Sequence, residues 1–117
     1  MNRERLLSDA KAKALSLVSG YVPPAPRTVV LSGARGRTML MAGVDALAAA
    51  GKVTAHDQVV AGHLATVITG GETDGKTPID ETALLTLERA HFMQLAHTSG
   101  TLARIEHMLA TGKPLRN

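Results

Sequence analysis

Short apolar stretches at helical spacing alternate with glycine- and proline-rich breaks along this chain, and the alternation predicts five helices. Over residues 3–19, Leu6, Leu7, Ala10, Ala14, Leu17 and Val18 recur near the helical period, and Gly20 takes the C′ position that ends the helix. Pro23, Pro24 and Pro26 then force an extended connector. Residues 28–32, TVVLS, have strand composition but no visible partner, so the expectation is an extended arm. Gly33 and Gly36 mark a loop, and the proline/glycine-rich connector is taken as 21–36. A second helix is expected over 37–50, with Met39, Leu40, Val44 and Leu47 on its buried side. Gly43 lies on the same side, and Gly51 caps the end.

Thr54 reads as the next N-cap, with Asp57 at the capping-box position, although Asp is shorter than the preferred Glu. Val60, Leu64, Val67 and Ile68 form the third apolar stripe, ended by Gly70 and Gly71. GGETDGKTP is a polar turn region. Asp80 is the fourth N-cap, and Ile79 and Leu84 are spaced as a hydrophobic staple. That helix runs through Leu87, Ala90, Phe92 and Leu95 to about His97. Ser99 is expected to cap the last one, which carries Leu102, Ile105, Met108 and Leu109. Gly112 closes it, and Pro114 prevents resumption. The fold class is therefore all-α: a small five-helix bundle with an extended arm after the first helix, in one domain spanning 1–117.

Composition narrows the picture. The apolar share is 44%, but only Tyr21 and Phe92 are aromatic, so any core is built from aliphatic side chains. A domain of 117 residues is marginal alone, with about 5–15 kcal/mol of net stability. Apolar residues left uncovered would favour a partner. The net charge of +3 is scattered, with no basic block interleaved with aromatics, which argues against nucleic-acid binding. There is no cysteine, hence no disulfide or thiolate chemistry. No apolar run approaches the ~20 residues that span a bilayer. The charged start MNRERLLSDAKAK lacks a signal-peptide centre, so a cytoplasmic location is expected.

The candidate chemistry is sparse. His56, His63, His91, His97 and His107 include no pair four apart on a helix, so the expectation is isolated histidines and no metal site. Asp80, Glu81 and Glu88 lie at or after a helix start, and Glu72 and Asp74 in a loop. Capping, dipole and solvation roles account for them better than a catalytic pair does. SGARGR, 32–37, fits neither phosphate-loop spacing, and a plain glycine-rich turn is the stronger reading. Met39, Met41, Met93 and Met108 read as core filler. No GxSxG elbow is present. The residues by themselves point to a non-catalytic helical module that packs against something.

Four stretches in order, DAKAKAL…GYVPPAPR, AAGKVTAHDQVVAGHLATVITGG, LLTLERAHFMQL and RIEHMLATGKPLRN, resemble the C-terminal end of long bacterial fatty-acid β-oxidation proteins. Those combine a 3-hydroxyacyl-CoA dehydrogenase part with an enoyl-CoA hydratase (crotonase-like) part placed last. The resemblance runs from Leu7 to Asn117. It implies a non-catalytic C-terminal fragment that follows the hydratase core and serves packing, oligomerisation and closure of the CoA site. NAD and a CoA thioester would be handled by the parent's upstream domains, which are the implied partners. In isolation the chain would self-associate. Crotonase-like chains end on a helix with an aromatic residue, then basic residues and a proline. Here Met108 stands at the aromatic position, and Lys113 and Pro114 match the ending. Lys113 and Arg116 are the implied candidates for a CoA phosphate contact. An independent helical adaptor and a small acyl-CoA-binding module are the alternatives.

Overall fold

The computed structural model describes residues 5–117. Residues 3 and 4, expected in the first helix, lie outside the described residues. The elements are α1 (Leu6–Val18), β1 (Thr28–Val29), α2 (Gly33–Ala49), α3 (Ala55–Ile68), β2 (Ile79–Asp80), α4 (Glu81–Ala96) and α5 (Ser99–Thr111). The fold is mostly helical, as the periodicity predicted.

Local chemistry sets most of the boundaries. Thr54 and Asp57 form a complete capping box at the start of α3. Asp80 Oδ1 accepts from the Ala83 N–H at 2.7 Å to start α4. The last helix begins one residue earlier than expected: Thr98, not Ser99, is the N-cap, and its hydroxyl accepts from the Thr101 N–H. A threonine hydroxyl caps a helix somewhat less strongly than serine but by the same bond, and the sequence offers both. Gly112 ends α5 in the left-handed region at φ 69°.

Two expectations are corrected at the connector. TVVLS does have a partner. Thr28 pairs with Asp80 and Val29 with Ile79 in an antiparallel two-residue ladder, so this part of the arm is a strand. The partner is the residue pair just before α4, too short to stand out in sequence as a strand. SGARGR is not a loop, because α2 begins at Gly33 and takes in Arg35, Gly36 and Arg37. Of the expected connector 21–36, residues 33–36 are thus helical and 21–27 are irregular.

The reason α2 starts early is a close backbone approach. The Gly33 N–H donates to the Thr69 carbonyl at 2.7 Å. Gly33 has φ +58°, and a Cβ there would run into the Thr73 carbonyl. Only a glycine fits, and it ties the start of α2 to the end of α3. Gly70 lies against Leu31, and Gly71 against Leu87 of α4. Gly33, Ala65, Thr69, Gly70 and Gly71 are the buried residues of the described chain.

No large apolar side chain joins them. Leu7 and Leu109 are each 82% exposed and Met39 is 77% exposed. Met93 and Met108 are also exposed, so these methionines do not fill a core within this chain. Every residue of α1 is exposed. A compact protein of this length has a radius of gyration of about 13 Å, whereas this chain has 20.7 Å. A folded monomer of its mass exposes about 6,100 Å², whereas this chain exposes 9042 Å². The apolar stripes predicted from sequence are present, but they are only partly covered: Val44, Val60, Val67, Leu84, Leu87 and Leu95 are half-buried, and Leu40, Leu64, Ile68 and Phe92 are exposed.

Gly33 and Gly43 test this account in opposite directions. Gly43 sits inside α2 with nothing within 4 Å of a built Cβ. Gly43→Ala should stabilise the fold by up to about 1 kcal/mol. Gly33→Ala should destabilise it by about 2 kcal/mol or more, from backbone strain plus the Thr73 contact. Urea midpoints of the two variants check both signs.

Candidate functional site

The densest polar constellation joins the start of α3 to the end of the chain. Asp57 Oδ2 accepts from the Thr54 N–H at 2.8 Å, and the Thr54 hydroxyl accepts from the Asp57 N–H at 3.1 Å. The other carboxylate oxygen, Oδ1, pairs with Arg104 Nη2 of α5 at 2.7 Å. Arg104 Nε donates to Asn117 Oδ1 at 2.7 Å, and Asn117 Nδ2 donates to the Gly100 carbonyl at 3.0 Å. Arg116 Nη2 donates to the Lys52 carbonyl at 3.0 Å. The C-terminal residues therefore fold back onto the α2–α3 turn. The Asp57 carboxyl is lowered from 3.8 to about 2, chiefly by the Thr54 N–H, then by Arg104 and the Thr54 hydroxyl.

A second cluster lies between α3 and α4. His63 Nδ1 and His91 Nδ1 are 2.8 Å apart, with ring centroids at 5.0 Å and planes 68° apart. Burial, then the His91 charge, lowers the His63 pKa below 6.5. The expectation of isolated histidines is corrected here, because residues 28 apart in sequence meet across two packed helices. No helical spacing within one segment reveals such a pair. His56 Nε2 lies 3.0 Å from the Thr101 hydroxyl, and His97 Nδ1 lies 2.6 Å from the Met93 carbonyl. The first contact links α3 to α5, and the second stays within one turn of α4.

An open cleft of about 790 Å³ runs beside the start of α2, with Met39, Leu40 and Ile68 as its apolar part and Arg35, Asp74 and Lys76 as its polar part. Asp74 is spent on its own turn, where Oδ1 accepts from the Lys76 and Thr77 N–H groups at 2.8 and 2.7 Å. Those bonds, the Thr77 one first, lower its pKa. Arg37 pairs with Glu72 at 2.6 Å. Among the described residues no three histidine, aspartate or glutamate side chains converge as a metal-binding group. Nor does any described helix have the length and apolarity needed to cross a membrane. Of the two tail cations singled out from sequence, Arg116 is held by Lys52. The Lys113 N–H donates to the Thr111 hydroxyl at 3.2 Å, just past the Gly112 turn. The clasp residue that sequence reasoning missed is Arg104, whose only sequence signal is its place on α5 among apolar residues.

No protein-family model and no solved structure matches the chain. It is 40% identical over 118 residues to a protein of Bacillus subtilis (strain 168) named "Probable 3-hydroxyacyl-CoA dehydrogenase". The match takes in 100% of this chain and 15% of the relative. The chain is thus similar to a small part of a 3-hydroxyacyl-CoA dehydrogenase. The relative's name speaks of the dehydrogenase alone.

Both clusters predict pH dependence of the same sign. Asp57 is depressed in the folded state, so its stabilisation is complete above 3.8 and is lost as pH falls through about 2. His63 is also depressed, so the unfolded chain takes up a proton more readily than the folded one. Stability should begin to fall as pH drops through 6.5. Two downward steps on acidification, the upper one absent in His63→Gln, are expected in denaturant titrations at stepped pH. Arg104→Leu should move the Asp57 carboxyl back toward its ordinary value, read from its side-chain carbon resonance.

Proposed function

We propose that this chain is a non-catalytic helical packing module of a 3-hydroxyacyl-CoA dehydrogenase-type protein, with its outward apolar stripes covered by the rest of that protein. The carrying observation is the surface area. The chain exposes 9042 Å², about 3,000 Å² more than a self-contained monomer of its mass. A total of 2,000–5,000 Å² over both partners already makes a large obligate interface. An excess of about 3,000 Å² on one side suits a segment embedded in a bigger protein. The 40% identity to a small part of a much longer relative supports the same reading. In this proposal NAD and the CoA thioester are held by other parts of that cytoplasmic protein. A crotonase-like hydratase part in the same polypeptide remains an element of the proposal. Isolated, the chain should bind a hydrophobic-surface dye and sediment as species larger than 12.2 kDa. A compact monomer that ignores the dye would overturn this and favour an independent adaptor.

Within that protein, Lys113 and Arg116 are proposed as phosphate contacts for CoA. Arg116 uses one guanidinium nitrogen on the Lys52 carbonyl, leaving others to donate, and Lys113 lies three residues before it. Loss of charge-assisted contacts should weaken CoA binding about tenfold. Calorimetric titration of the full-length protein carrying Lys113→Ala and Arg116→Ala checks this, and unchanged affinity sinks it. Saturable CoA binding by the isolated chain would instead support the acyl-CoA-binding module.

A further inference from the structure

The strongest unassigned feature is the meeting of two imidazoles across α3 and α4. His63 Nδ1 and His91 Nδ1 face each other at 2.8 Å, and both residues are half-buried. Two neutral imidazoles this close share one hydrogen: one Nδ1–H donates and the other Nδ1 accepts. When that hydrogen moves to Nε2 as the ring changes tautomer, two nitrogen lone pairs face the same small volume. We propose that His63 and His91 form a two-histidine site for a divalent transition-metal ion of the zinc class, bridging α3 and α4.

The geometry needs little adjustment. Zn–N bonds of about 2.0–2.1 Å at a tetrahedral angle place two ligand nitrogens about 3.3 Å apart. The rings must separate by about half an ångström from their hydrogen-bonded distance. The neutral imidazole is the form that binds metal, and each ring reaches the shared volume through its Nδ1. Water fills the remaining positions, since no third protein ligand converges on the pair among the described residues. Glu88 is an exposed acid three residues before His91. That Glu-x-x-His spacing puts a carboxylate on the same side of α4, where it can draw the cation in or hydrogen-bond its water. His97 and His107 provide built-in controls elsewhere on the chain.

Zinc titration of the full 117-residue chain tests the proposal, followed both by calorimetry and by histidine-selected nitrogen–proton spectra. The expected result is one zinc per chain at pH 7.5, with resonance changes confined to His63 and His91. His63→Ala and His91→Ala should each weaken binding at least about tenfold, while His97→Gln with His107→Gln leaves it unchanged. Binding should weaken as pH falls below the histidine range, because protons compete for the same nitrogens. No heat and no spectral change at millimolar zinc would overturn it. So would changes centred on His56, His97 or His107. The wild-type spectra identify the ligands directly, so misfolding of an alanine variant leaves the answer intact. None of these readouts depends on the packing role proposed above.

Discussion

The Gly33 N–H donating to the Thr69 carbonyl is the bond that the tertiary arrangement hangs on. It fixes the start of α2 against the end of α3. Gly70 and Gly71 follow at once, and α4 seats Leu87 on the second of these. A Cβ at Gly33 would run into the Thr73 carbonyl, and all three glycines have positive φ, so the left-handed backbone favours glycine three times within one small volume. Where most domains have an apolar centre, this one has a backbone junction. Thr69 satisfies its own hydroxyl on the Ala65 carbonyl at 2.7 Å, so the junction carries no unpaired buried side-chain polar atom among the described residues.

A backbone junction holds helices in place but does not remove their stripes from water. Helices of 13 to 17 residues are marginal in isolation, and their stability comes mostly from packing an apolar face. Caps start and stop α3, α4 and α5, yet Leu64, Ile68, Leu85 and Phe92 all remain more than half exposed. Local signals and the glycine junction therefore specify a shape that still lacks its main source of stability. A covering surface supplied by a longer protein resolves that conflict, and so does self-association when none is supplied.

What the sequence disclosed follows the range of the interaction. The Thr54–Asp57 box, the Asp80 cap and the Gly20 and Gly112 ends involve residues within a few positions of each other, and all were legible. The pairing of Val29 with Ile79 spans 50 positions, and two-residue strands carry no periodic signal. The His63–His91 contact and the Arg104 clasp were hidden for the same reason, since each needs two helices brought together. Gly33 has the sequence context of a loop, because its helical role depends on Thr69 and Thr73, far along the chain. The methionines differ in kind: Met39, Met93 and Met108 have the apolar spacing of a buried face, yet within this chain they are exposed.

The C-terminal stub is tied to the fold by contacts within the chain. Arg104 bridges the Asp57 carboxylate and Asn117, and Arg116 reaches the Lys52 carbonyl. The basic ending is thus ordered by the chain itself before any ligand arrives. A flexible stub would lose about 0.5–1.5 kcal/mol for each side chain immobilised on binding. Here much of that ordering is already done by the clasp. Helix termination by Gly112 and Pro114 explains why the helix stops, but it does not explain why Asn117 is gripped by an arginine two turns inside α5. If Lys113 and Arg116 make the CoA phosphate contact proposed above, Arg104→Leu should weaken it by releasing Asn117 beside them.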